Sequence, residues 1–324
     1  MENSQKSLEK IIERIKNGER LKRGENLSFL IEMPLEELKE GAGEIQKYYC
    51  GNKVDLCTII NGRSGKCSED CKYCAQASCH KTGVEEYKFM EPEKILENGL
   101  ENEKAGVNRF SIVTSGRALE GKEFEKALET YRLLKKNLKI EICASHGILS
   151  REQLRKLKEA GVKNYHHNIE TSKRYFPKIC TSHSYEDRIK TIKLAQEEGL
   201  NVCSGGIIGL GEEWEDRLEM AQELENLKIK SIPINVLIPI KGTALENQKM
   251  LREEEIYRTI AIFRFINPEA NIRLAAGRRL LPEKGARAFK YGASASITGD
   301  MLTTSGTTIK EDLLILKKLG MRNK

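Results

Sequence analysis

A chain of 324 residues with 55 basic and 48 acidic side chains carries a net charge of only +7, and both signs are interspersed. That balance argues against a nucleic-acid-binding stripe and favours small anions or an acidic redox partner only weakly. No apolar run approaches the ~20 residues needed to span a bilayer, and the opening MENSQKSLEK is polar, unlike a signal peptide, so the expectation is a protein of the reducing cytoplasm with no membrane contact.

In chain order, residues 1–49 read as a helical extension, followed by one catalytic domain over 50–324. Within that domain short apolar strand candidates alternate with helical stretches. The strands are 54–60, 109–113, 139–145, 162–168, 201–207, 231–237, 271–277 and, least sharply defined, 292–297. A helix starts near Pro92. Ser150 and Gln153 form a capping box, after which Leu154, Leu157 and Ala160 keep one face until Gly161 stops the helix. Ile189, Ile192 and Ala195 do the same before Gly199, as do Trp214, Leu218 and Ala221 after Gly211. About eight such units predict an α/β fold, a (β/α)8 TIM-type barrel with an N-terminal helical extension, whose active site is built at the carboxyl ends of the strands.

The nine cysteines are an odd number in a chain too long to need covalent staples, so a disulfide framework is disfavoured. Three of them stand in the run CSEDCKYC, at Cys67, Cys71 and Cys74, on a loop after the first strand. Structural zinc sites pair such cysteines with a second couple farther on, for which His80 is only a loose candidate. Three thiolates on one short loop instead suit a four-iron cluster with one iron open to an outside molecule, which points to catalysis rather than electron carriage. Cys143, Asn168, Cys203, Asn235 and Arg273 fall in strands three to seven, so closing the barrel makes them neighbours. The glycine-rich VCSGGIIGLGE does not match a dinucleotide loop; Gly205 and Gly206 are read as letting backbone come close to a ligand.

The spacing of Cys67, Cys71 and Cys74, with the aromatic Tyr73 before the last, resembles the radical S-adenosylmethionine (SAM) enzymes. The longer stretch KCSEDCKYCAQ, followed in order by NIET, VCSGGIIGLGE, PIN and RLAAGR, is similar to the biotin synthase family, from about Phe29 onward. The resemblance implies a 4Fe-4S cluster that binds SAM and cleaves it to a 5′-deoxyadenosyl radical, with the Tyr73 region at the adenine, Glu170 at the ribose and Arg188 on the carboxylate. A guanidinium suits that task through two parallel hydrogen bonds. It further implies dethiobiotin as substrate, its ureido ring held by Asn168 and Asn235, and sulfur drawn from an auxiliary iron–sulfur cluster. A flavodoxin or ferredoxin-type electron donor, cluster assembly proteins and a homodimer complete the implied partners.

The familiar auxiliary site is a 2Fe-2S cluster bound by three strand-borne cysteines and an arginine. Cys143, Cys203 and Arg273 match three of those positions, but Ser111 stands where the remaining cysteine is expected. Cys79 appears five residues after Cys74. The expectation is therefore that Cys79, Cys143 and Cys203 bind a four-iron variant whose open iron carries the sulfide to be donated, thiolate suiting such clusters better than a Ser111 alkoxide. Cys50, Cys57 and Cys180 receive no role, Cys57 being the best placed of the three to approach a cluster. His166 and His167 are adjacent on a strand, should point to opposite faces, and are not read as metal ligands. The competing functions are a hydrogenase-maturation-type radical SAM enzyme and an iron–sulfur electron carrier or scaffold.

Overall fold

A computed structural model describes residues 2–21, 25–302 and 306–324. The N-terminal segment forms α1 (Glu2–Lys16), α2 (Ser28–Glu32) and α3 (Leu35–Cys50), after which eight strand positions and their covering helices follow. α3 buries Leu38, Ala42 and Ile45. Gly41 lets it press against the last major helix of the barrel, since a Cβ there would come within 2.5 Å of the Phe265 ring.

The strands are β1 (Lys53–Arg63), β2 (Arg109–Thr114), β3 (Glu141–Ser145), β4 (Asn164–His166), β5 (Asn201–Cys203), β6 (Gly206–Ile208), β7 (Ser231–Val236), β8 (Asn271–Leu274), β9 (Ala295–Ile297) and a short β10 (Arg322–Asn323). All pairings are parallel. The order runs from β1 to β9, and β9 pairs back to β1 at Asp55, Leu56 and Cys57, closing the barrel. β5 and β6 share one position, broken at Ser204 and Gly205, and both pair with β7. β10 lies outside the closure, beside Lys53 and Val54.

The outer layer is α4 (Pro92–Lys104), α5 (Gly121–Asn137), α6 (Arg151–Glu159), α7 (Phe176–Ile179), α8 (Tyr185–Glu197), α9 (Trp214–Asn226), α10 (Glu253–Ile266) and α11 (Ile309–Lys318). The capping box at Ser150 and Gln153 starts α6, which buries Leu154 and Leu157. Ser184 and Asp187 start α8 in the same way. Several predicted strands come out shorter, among them β3, β4, β8 and β9, and for two of these the backbone shows a local reason. β4 stops at His166 because the chain turns, Glu170 taking φ +69°. β9 begins only at Ala295 because Gly292, at φ +99°, caps the preceding helical turn.

Candidate active site

In a parallel barrel alternate residues of each strand face inward. Here those residues are Cys57 and Ile59, Arg109, Ser111 and Val113, Cys143 and Ser145, Asn164, His166, Cys203, Ser231, Pro233 and Asn235, and Arg273, which line a cavity of about 360 Å³. A second cavity of about 210 Å³ lies against the cysteine loop and shares Tyr73, Ser145, His166, Asn168, Glu170 and Leu302 with the first. The two are depths of one continuous site.

At the floor, strand register sets Cys143 opposite Ser111 and His166 opposite Cys203. Cys57 lies in the same barrel layer, hydrogen-bonded to Cys143. That bond, with burial and the Arg273 charge acting in opposite senses, holds the Cys57 thiol down, while the same bond and burial push Cys143 up. Burial would raise Cys203, yet the His166 hydrogen bond and the charges of His166 and Arg273 prevail and bring it down to about 7. Ser231 Oγ lies 3.3 Å from its sulfur.

Beneath these thiols sits a buried ionic group. Asp55, 2% exposed, accepts from Arg273 Nη2 at 2.5 Å and from Arg109 Nε at 3.0 Å. Arg273 spends its remaining donors on the carbonyls of Asp55 and Ser296, each at 3.0 Å, and on Ser231 Oγ at 3.4 Å. Burial disfavours its charge, but Asp55 and the neighbouring thiols outweigh that and hold the guanidinium protonated. Arg273 faces the cysteines as a cation.

At the upper level Cys67, Cys71 and Cys74 line the cavity with Tyr73, Glu170 and Arg188. The loop is folded on itself: Cys67 N–H donates to the Gln76 carbonyl, Ser78 N–H to that of Cys67 and Cys74 N–H to that of Cys71. It is also pinned from outside, Lys72 N–H donating to the Ile179 carbonyl at 2.9 Å and Asp70 accepting from the N–H groups of Thr181 and Ser182. Burial raises the thiols of Cys67 and Cys74, the latter to about 11; in Cys71 a hydrogen bond with Cys180 comes first and burial second. Arg188 is buried rather than solvated. Its Nε donates to His183 Nε2 at 3.0 Å, and Nη1 donates to the Asn168 carbonyl at 2.9 Å and to Glu170 Oε1 at 3.3 Å. His183 in turn donates from Nδ1 to Glu69, within the cysteine loop, at 2.5 Å.

Asn168 and Asn235 are both tied to backbone. Asn168 Oδ1 accepts from Gly205 N–H at 3.0 Å and Nδ2 donates to Glu170 at 3.2 Å; Asn235 Oδ1 accepts from Ala276 N–H at 3.2 Å and Nδ2 donates to the Gly206 carbonyl at 3.1 Å. Each amide keeps one N–H and one lone pair for a ligand. His166 lines both depths of the cavity, and His167 lines the upper one, stacked beside Tyr165, its buried Nε2 having no partner among the described residues.

The structure does not bring Cys79 to Cys143 and Cys203. Cys79 is exposed on the outer turn of the loop and lines neither cavity; the thiol that meets Cys143 and Cys203 is Cys57, on β1. The physical reason is register: Cys57 faces Arg109 on one side and Ile297 on the other, inside the closure, while Cys79 lies beyond the loop's own hydrogen bonds. His80 donates to the Cys74 carbonyl at 2.8 Å, so it serves the loop's fold. Gly205 and Gly206 make room for neighbouring backbone, not a ligand: a Cβ there would come within 2.0 Å of the Pro233 carbonyl and 2.4 Å of that of Glu170. Sequence reasoning missed Asp55, Arg109 and His183. Their signal, charged or imidazole groups in otherwise apolar or short-loop contexts, becomes readable only with the barrel closed.

Residues 63–224 match the Radical SAM superfamily and residues 233–322 the Biotin and Thiamin Synthesis associated domain. The chain is 56% identical over 313 residues to a biotin synthase of Clostridium beijerinckii, covering 97% of this chain and 99% of the relative. It is 60% identical over 288 residues to a biotin synthase of Clostridium perfringens, covering 89% and 90%. Among solved structures it shares its fold with the methylornithine synthase PylB (TM-score 0.83, 20% identity, 97% of each chain). It also does so with the FeFe-hydrogenase maturase HydG from Carboxydothermus hydrogenoformans (TM-score 0.82, 16% identity, 99% and 80%). The cysteine loop at the mouth of a closed parallel barrel, together with these full-length identities, shows that the chain belongs to the biotin synthase family of radical SAM enzymes.

Proposed function

We propose that this enzyme closes the sulfur ring of biotin on dethiobiotin with two metal centres held at two depths of one cavity. Cys67, Cys71 and Cys74 hold the four-iron cluster at the mouth, and Cys57, Cys143 and Cys203 hold the auxiliary cluster on the floor. The observation that carries this reading is the pair of three-thiol groups lining one continuous cavity. The donor sets suit the groups: soft thiolates favour iron–sulfur clusters, and three of them leave a position open for SAM above and for the donated sulfide below. Bound at the mouth, the cluster and SAM supply a 5′-deoxyadenosyl radical able to remove hydrogen from an unactivated carbon.

The chain's own residues hold and aim. Arg188, kept oriented by His183 and Glu170, grips the SAM carboxylate; Glu170 exchanges its ion pair for the ribose hydroxyls; Tyr73 covers the adenine. Asn168 and Asn235 take the ureido ring with their free donor and acceptor, which sets the substrate between the two depths. Arg273 and Arg109 supply positive charge under the auxiliary cluster, offsetting its thiolates. A flavodoxin or ferredoxin-type donor, cluster assembly proteins, a homodimer and a reducing cytoplasm belong to the same reading; among the described residues no helix is long and apolar enough to cross a membrane.

The test is an anaerobic assay with reductant, SAM and dethiobiotin, with iron and sulfide counted on the reconstituted protein. Biotin formation with about eight irons per chain supports two four-iron centres, about six supports a two-iron floor, and about four removes the auxiliary site.

A further inference from the structure

Cys180 is the buried thiol that this chemistry does not use. Its sulfur lies 3.7 Å from that of Cys71, and the two side chains are 3% and 8% exposed. We propose that Cys180 is a resolving thiol: when the four-iron cluster is lost, oxidised Cys71 is captured as a Cys71–Cys180 disulfide, which makes this pair a reversible redox modification site. The proposal rests on the reading of Cys71 as a cluster ligand.

Three observations carry it. First, the approach of the two sulfurs is set by protein alone. Lys72 N–H is bonded to the Ile179 carbonyl, and Asp70 takes the N–H groups of Thr181 and Ser182, so the residues flanking both cysteines are clamped with no metal involved. Closing from 3.7 Å to the ~2.05 Å of a disulfide is a side-chain movement within that clamp. Second, the two thiols are not equivalent. Cys71 lines the upper cavity and Cys180 does not, so a small oxidant entering the cavity meets Cys71 first. Third, the Cys180 sulfur has polar groups to orient it, Asp70 Oδ1 at 3.2 Å and His183 Nδ1 at 3.3 Å, where a cysteine acting only as apolar filler would have none.

The chemistry balances with a peroxide as oxidant. Cys71 attacks the peroxide O–O bond, giving a sulfenic acid and one water. The Cys180 sulfur then attacks the Cys71 sulfur, the S–S bond forms as the S–O bond breaks, and a second water leaves with the Cys180 proton. Peroxide is reduced by two electrons and the two thiols are oxidised by two. Without Cys180 the sulfenic acid is open to a second peroxide and passes to sulfinic acid, which does not return.

The holoenzyme is treated with hydrogen peroxide until the cluster absorbance is gone, free thiols are alkylated, and the digest is mapped by mass spectrometry. The expected result is a Cys71–Cys180 cross-linked peptide that dithiothreitol removes, after which iron and sulfide restore the cluster absorbance. In Cys180→Ser and Cys180→Ala the cross-link is lost, Cys71 is recovered as sulfinic or sulfonic acid, and the restorable absorbance falls. Cross-links from Cys71 only to Cys67 or Cys74 overturn the proposal, as does equal irreversible oxidation of Cys71 in the parent and both variants. The map of the parent protein decides even where a variant fails to fold. A Cys71→Ala protein that keeps a SAM-binding four-iron cluster overturns the ligand assignment instead, leaving the disulfide result to stand by itself.

Discussion

The mouth and the floor of the cavity gather thiols in opposite ways. At the mouth, Cys67, Cys71 and Cys74 lie within eight residues of one loop, where burial raises the thiols of Cys67 and Cys74. On the floor, Cys57, Cys143 and Cys203 come from β1, β3 and β5, with His166, Arg109 and Arg273 around them, and Cys203 is held down to about 7. A loop can bring ligands together by local hydrogen bonds alone. A barrel floor must have strand register correct all the way round, and it then supplies fixed charges from neighbouring strands as well.

The sharpest way to break this comparison is to remove one thiol from each level. Cys74→Ala should reduce 5′-deoxyadenosine formation to background, since two thiolates do not hold a four-iron cluster. Next in size, Cys57→Ala should abolish biotin formation while deoxyadenosine release continues, and Cys79→Ala should leave both unchanged. Loss of biotin with Cys79→Ala, and not with Cys57→Ala, would return the floor to the sequence-based expectation.

A third substitution separates the levels by stability. Asp55→Asn leaves Arg273 and Arg109 without their shared carboxylate and should cost about 3–5 kcal/mol of unfolding free energy, read by denaturant titration. Burial raises the Asp55 carboxyl, but Arg273 and Arg109 outweigh it and keep it ionised, so the asparagine removes a real charge.

The smallest effect lies in the wall of the mouth. His146, buried after β3, bonds Thr114 at 3.0 Å and Tyr131 at 2.7 Å, and burial first, with Arg63 second, lowers it from its ordinary 6.5 to about 3. Below pH 6.5 the unfolded chain takes up a proton that the folded chain refuses, so stability falls as pH drops toward 3, by at most about 1.4 kcal/mol per pH unit. Denaturation at pH 7 and pH 5.5 should show a smaller loss in His146→Gln than in the parent, the buried His167, which burial also lowers, contributing equally to both.

Much of the fold was readable from residues alone. All eight strand positions were anticipated, because apolar runs ending in turn residues report burial on both faces. The capping box at Ser150 fixed the start of α6 to the residue. What escaped were features depending on partners far along the chain: the break between β5 and β6, the short β10 beside β1, and the use of Gly205 and Gly206 to admit backbone. Arg188 shows the same limit. A guanidinium four residues into a helix reads equally as a solvated cation, and only packing against Glu170 and His183 makes it part of the site.

The sequence by itself determined the barrel, the cysteine loop and the amides on β7 and just after β4, because helix and strand periods and ligand spacings within a loop are local quantities. Only the tertiary structure decided that Cys57 rather than Cys79 meets Cys143 and Cys203, that Arg273 is a protonated partner of Asp55, and that Cys180 stands behind Cys71. Each of these is a contact between residues far apart in the chain, set by inward register and by closure of β9 on β1, which no local pattern encodes.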